Sequence, residues 1–231
     1  MAVQFKTGAL RPPKAPNLPN APASGYSPGY FDQYSNVLRL YFNQIDNFGA
    51  AIGGNNGGSN IQFPFISASD SAIQYATAAN TPTIVQWSVV EEGNGFTLNA
   101  GNTATANVSG IYKITYSLQF ANNDNQAHDS IVWLRVNGST STADVPRSTT
   151  IFTVPARKSA IIPTYVCGYS EVVFALNGGD TVGLWWGTDQ AATSGGATGN
   201  YIYYQAAQTT PMAYPAVPSA IGSITFVSAL Y

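Results

Sequence analysis

Polar and apolar positions alternate without a break along Tyr112-Lys113-Ile114-Thr115-Tyr116-Ser117-Leu118-Gln119-Phe120. Tyr112, Ile114, Tyr116, Leu118 and Phe120 share one side, and Lys113, Thr115, Ser117 and Gln119 the other. This period of two predicts a strand with one dry and one wet face, with Ile114 and Leu118 in the core. A different period governs residues 30–52. Phe31, Tyr34, Leu38, Tyr41, Ile45, Phe48 and Ile52 recur at alternating spacings of three and four, an a/d heptad seam. The pattern predicts a helix over 30–52, opened by Ser27-Pro28 and stopped by Gly49, Gly53 and Gly54. Two readings of it stand open: a helix docked on its own β domain, or one associating with copies of itself. A helix of about three heptads is marginal alone, which favours self-association. Bulky residues at both seam positions suit three strands better than two.

After residue 60 the periodic stretches are short and β-like. Strands are predicted at 61–66, 83–90, 96–98, 103–108, 111–120, 131–136, 149–154, 161–167, 172–176, 181–186, 201–206 and 223–229. Turn clusters separate them, among them Glu92-Gly93-Asn94-Gly95, Asn137-Gly138 and Asn177-Gly178-Gly179-Asp180. Many short strands with Gly/Asn punctuation predict an all-β sandwich or jelly roll over 61–231. Residues 53–60 read as a Gly/Asn linker. Residues 1–29 hold six prolines (Pro12, Pro13, Pro16, Pro19, Pro22 and Pro28), with Lys6, Arg11 and Lys14 as the only charges. Proline fixes φ and withdraws a donor, so this segment reads as an extended arm.

Composition narrows the setting. Only 9% of residues are charged, against roughly a quarter in ordinary soluble chains. Asn, Gln, Ser, Thr and Gly carry the polar balance, which suits a packed external β protein better than a cytosolic enzyme. Net charge is −2, so no basic face is on offer and no nucleic-acid partner is expected. Cys167 is the sole cysteine, which rules out an intrachain disulfide; within Tyr165-Val166-Cys167 it reads as a small buried hydrophobe. The N-terminus lacks an apolar signal-like run and no stretch of 18 apolar residues follows, so no membrane insertion is expected.

Candidate chemistry is sparse. His128-Asp129-Ser130 holds three triad residue types, but sequence neighbours do not converge as nucleophile, base and orienter. The segment containing Asp124 and Asp129 reads as a polar connecting loop, with calcium as the alternative. With His128 the only histidine, no Cys/His metal cluster is expected. Glu91-Glu92 read as solvated turn carboxylates, and the Gly-rich run from Ser194 to Gly199 as a turn without the lysine of a phosphate loop. Asp189 with Trp185, Trp186 and Tyr201 offers a sugar-site reading, weaker than an interface reading of the same aromatics. No catalytic residue, metal site or cofactor is expected.

Five motifs in order carry a family resemblance. They are Phe96-Thr97-Leu98, the Gly110-Ile111-Tyr112 strand opening, Val132-Trp133-Leu134-Arg135-Val136-Asn137-Gly138, the hairpin from Val172 through Gly179-Asp180 to Leu184, and Ile221-Gly222-Ser223-Ile224-Thr225-Phe226-Val227. From about Trp87 to the end the chain resembles the C1q/TNF-like family of trimeric jelly rolls, without the collagen stalk of its animal members. The segment from Tyr30 to Gln44 (YFDQYSNVLRLYFNQ) resembles one in structural fibre or decoration proteins of marine tailed phages. Together the resemblances imply a virion appendage on the external particle surface. Its arm, through Lys6, Arg11, Pro12, Pro13 and Lys14, would grip a capsid or tail protein. Its helix would associate through Phe31, Tyr34, Leu38, Tyr41, Ile45 and Phe48. Its head would trimerise through aromatics such as Tyr112, Tyr116, Trp185, Tyr201 and Tyr203, which equally well fit a core. The alternative is a receptor- or glycan-binding fibre tip, or an extracellular C1q-like binding protein.

Overall fold

A computed structural model of the chain describes residues 13–20, 25, 27–53 and 63–230. It divides into two compact units, Met1–Gln62 and Phe63–Tyr231. In the first, residues 13–20 have no regular structure and α1 spans Pro28–Gly53. Pro28 occupies the first turn, where its missing N–H costs nothing. The Ser27 carbonyl accepts from Phe31 N, and its Oγ accepts from Tyr30 N at 3.4 Å. No helix among the described residues is long and apolar enough to cross a membrane.

The second unit is two antiparallel sheets. The first runs β3 (Val89–Asn94), β1 (Phe65–Asp70), β12 (Ala220–Ser228), β6 (Gly110–Asn122), β9 (Thr164–Leu176). Short β11 (Asn200–Ile202) continues the β12 side of β6. The second runs β4 (Phe96–Leu98), β5 (Ala104–Ala106), β10 (Thr181–Thr188), β7 (His128–Val136), β8 (Thr150–Val154), with β2 (Thr83–Ile84) also on β10. If the eight strands β1, β5, β6, β7, β8, β9, β10 and β12 are counted in sequence, one sheet is ordered 1-8-3-6 and the other 2-7-4-5. That is the jelly-roll arrangement, the all-β architecture the sequence implies.

The core lies between the sheets. Tyr112, Ile114, Tyr116, Leu118 and Phe120 all point inward from β6, and meet Val182, Leu184 and Trp186 of β10 and Val132 and Leu134 of β7. Tyr112 sets its ring edge-on to Phe96 and Phe226 and donates its hydroxyl to the Val108 carbonyl at 2.7 Å. Gly110 is required beside it, because a Cβ there would sit 2.5 Å from the Phe226 ring.

Two strand expectations are corrected. The strands expected at 161–167 and 172–176 are one, β9. Gly168 looks like a breaker but is a gap-maker: a Cβ there would lie 2.7 Å from the Phe120 ring. The strand expected at 83–90 is two, because the chain crosses between the sheets after β2, with Val85 buried in the core. Glu91 and Glu92 accordingly lie within β3, at an irregularity in its pairing with β1, and not in a turn.

The register sorts the connections into two ends. Phe65 pairs with Thr225 and Asp70 with Ala220, so β1 begins where β12 finishes. Asn137, the Asn177-to-Asp180 turn and Ser109 gather at that end. Asn137 donates to Asp180 at 2.7 Å and accepts from Thr181 N, while Ser109 Oγ accepts from Gly178 N. Three of the recognisable motifs therefore form one structural junction. The connections 123–127, 155–163, 189–199 and 203–219 cluster at the opposite end.

Candidate functional site

The outward face of β9 carries Tyr165, Cys167, Tyr169, Glu171 and Val173, alternating with the inward Val166, Gly168, Val172 and Phe174. Tyr165, Tyr169 and Val173 are 43%, 58% and 59% exposed. Ile221 and Val227 of β12 are exposed on the same sheet, whose outward β6 residues between them are Lys113, Thr115, Ser117 and Gln119. Among the described residues the face holds one ion pair, Lys113–Glu171 at 3.6 Å. β9 is also a sheet edge, paired among the described residues with β6 alone over thirteen positions. It contains neither Pro nor Lys, the usual guards of an open edge. Cys167 is exposed, beside Ser117 Oγ at 3.2 Å and Gln119 Nε2 at 3.6 Å. The expectation of a buried thiol is corrected: pairing with Gln119 puts Cys167 on the outer face.

The aromatics expected at a head interface separate. Tyr112 and Tyr116 are fully buried within the single chain and have no area left to give a partner. Strict alternation along β6 places them in phase with Ile114 and Leu118. Trp185 lies on the outer face of the other sheet, its ring 4.4 Å from the Arg135 guanidinium, which also lies 5.4 Å from Trp133. Asp144 accepts from Arg135 Nε at 2.6 Å and from Trp133 Nε1 at 2.9 Å, and Arg135 Nη1 donates to the Ser139 carbonyl. This shelf pins the β7–β8 connection. Its only trace in the sequence is a charged residue inside an apolar strand. Trp186 is in the core, so Trp185, Trp186 and Tyr201 do not converge on a sugar site. Tyr201 is largely buried against Tyr75 and Tyr203, and Tyr203 packs on Tyr165 with centroids 4.7 Å apart. Burial first, then the neighbouring Tyr203, Tyr201 and Tyr214, pushes the Tyr165 phenol far up.

His128 begins β7 and joins two carboxylates. Its Nε2 lies 2.8 Å from Asp124 and its Nδ1 3.4 Å from Asp189, which also accepts from Asp129 N. Burial pulls the imidazole down, but the Asp124 and Asp189 carboxylates outweigh it and leave it above the usual histidine range. Asp129 instead accepts from Thr153 Oγ1 at 2.6 Å. Asp124 and Asp129 therefore serve different partners, and among the described residues no group of three or more His, Cys, Asp or Glu is placed to hold a metal. Ser130 is fully buried and accepts from Asn200, away from the imidazole. The cluster is a clasp across loops 61 residues apart.

Of the arm residues, Pro13 is half-buried and Lys14 exposed; Lys6, Arg11 and Pro12, like linker residues 54–60, lie outside the described residues. On α1, Tyr34, Leu38, Tyr41 and Phe48 are half-buried and Phe31, Ile45 and Ile52 exposed.

No protein-family model matches the chain, and no curated protein matches it. Among solved structures, the crystal structure of murine APRIL at pH 5.0 is similar, at 16% identity and a TM-score of 0.42, over 71% of this chain and 100% of that one.

Proposed function

We propose that the chain is a non-catalytic structural protein of a tailed-phage virion, a homotrimeric decoration or head fibre whose β head stands on the particle surface. The β9 surface carries this reading. A thirteen-residue edge strand with neither Pro nor Lys, bearing Tyr165, Tyr169 and Val173 outward, is a surface that another copy would cover. Tyrosine suits such a place because its ring packs dry while the hydroxyl still finds a partner. The heptad seam of α1 supplies a second self-associating element in the same chain. The phage setting rests on the resemblance of residues 30–44 and on the sparsely charged, amide-rich composition, and attachment is assigned to residues 1–29.

Two measurements test it. Sedimentation of the full chain is expected to show a trimer, and a clean monomer would overturn the assembly. Deleting residues 1–29 should leave that trimer intact while abolishing its incorporation into particles; a truncated protein that still joins particles would refute the anchoring role. The second reading, recognition of a glycan or receptor by the head, is favoured by a cleft at the far end of the jelly roll.

A further inference from the structure

At the end of the jelly roll away from the start of β1 and the finish of β12, the β8–β9 and β10–β11 connections enclose a cleft of about 330 Å³. Ile161, Ile162 and Tyr201 give it apolar walls, and Arg157, Asn123 and Thr198 supply the polar groups. The walls are held in place by hydrogen bonds from backbone N–H groups. Arg157 N donates to the Asp124 carbonyl at 2.8 Å, Gly199 N to Asn123 Oδ1 at 2.8 Å, and Lys158 N to the Ile162 carbonyl at 2.9 Å.

Two features of the cleft need an occupant. Ile161 is 89% exposed at a tight tip, where folding gains almost nothing from its side chain, and Ile162 is exposed beside it. Arg157 has no ion-pair partner among the described residues; its guanidinium makes a long 3.3 Å bond from Nη1 to the Asn123 carbonyl. Asp124, whose carbonyl accepts from Arg157 N, has its carboxylate engaged by His128. A guanidinium with most of its donors free, lining a ring-sized space with mixed polar and apolar walls, has the chemistry of a carboxylate receptor. The volume falls at the small end of ordinary ligand sites.

We infer that this cleft binds a carboxylate carried on a ring-sized body, with Arg157 gripping the carboxylate and Tyr201 and Ile162 packing on the ring. The inference is independent of the oligomeric state, so it stands or falls separately from the trimer. The same chemistry has two sources, an acidic sugar of a surface glycan or a free cyclic carboxylate, and one experiment separates them.

The full-length protein is titrated by ligand-observed NMR and calorimetry with glucuronate, N-acetylneuraminate, benzoate and cyclohexanecarboxylate, against acetate and neutral glucose. At least one ring carboxylate is expected to bind saturably, with acetate and glucose silent. Binding by the sugar acids alone assigns a glycan, and binding by the others alone a free carboxylate. Arg157→Gln should weaken binding by about tenfold or more, the loss expected when a charge-assisted pair is removed, without shifting the thermal midpoint. Thr198→Trp, which fills the cleft and leaves Arg157 in place, should also abolish binding. No saturable binding by any ring carboxylate, equal binding by acetate, or binding indifferent to both substitutions would overturn the inference.

Discussion

Gly168 shows how much can rest on the absence of one side chain. Its missing Cβ makes room for the Phe120 ring, and a Cβ there would also come within 3.2 Å of Phe152. Gly168→Ala should therefore cost about 1–3 kcal/mol by overpacking, read as a lower denaturation midpoint at unchanged m. Gly195→Ala is the control, since its nearest neighbour is 3.8 Å off, and should change stability by less than about 0.5 kcal/mol. His128 offers a test of a different kind. Its folded-state pKa is raised, so its contribution is full below the ordinary histidine value and is lost as pH climbs through the raised one. The Asp124 carboxyl is held low, first by His128 and then by the Asn125 N–H, so its contribution fades only as pH falls through the carboxylate range. The clasp is strongest in mildly acidic solution. His128→Gln should cost about 1 kcal/mol there and should flatten the alkaline decline in melting temperature. A mutant curve parallel to wild type above neutrality would refute the assignment.

At the scale of elements, the proposed assembly is assigned to β9. Tyr169→Lys with Val173→Lys installs the charges an open edge ordinarily carries, and should convert the oligomer to a folded monomer by sedimentation, with circular dichroism unchanged. An oligomer that survives both substitutions would place the interface elsewhere. The contrast between β6 and β9 explains what the sequence discloses. β6 is legible because one face is dry and the other wet, which period two records directly. β9 is largely apolar on both faces, Glu171 apart, and interrupted by Gly168, so it reads as two fragments and its outer row is hidden among residues that pass for core. The signal was present as the apolar run on both sides of the strand, which asks for cover on each. The Gly110, Asn137-Gly138 and Gly179-Asp180 motifs are legible because turn chemistry is local. The structure gives them architectural work, through the bonds from Asn137 to Asp180 and Thr181.

Across the whole molecule, the jelly roll separates architecture from exposure. The motif-bearing turns lock the end where the head is entered and left, while the clasp and the Arg157 cleft occupy the other. None of that polarity is written in any one stretch. Asp124, His128 and Asp189 meet only because β7 and β10 run in register from Ser130–Thr188 to Val136–Val182, and Arg157 reaches Asn123 across a connection 34 residues away. The aromatic surplus announces packing but does not say which rings serve the interior. The sandwich answers that by phase: Tyr112 and Tyr116 inward, Tyr165 and Tyr169 outward.

The neighbouring start of β1 and finish of β12 also make the head a natural substrate for circular permutation. A short bridge from β12 to β1 would close the ring without crossing the sheet, as is common where termini lie together. New ends could open at the exposed tip near Met212, on the excursion pinned by the Gln205–Val217 and Gln208–Tyr214 pairings. A peptide appended after β12 would emerge at the same end as β1, whereas one spliced in at Met212 would be displayed from the opposite pole.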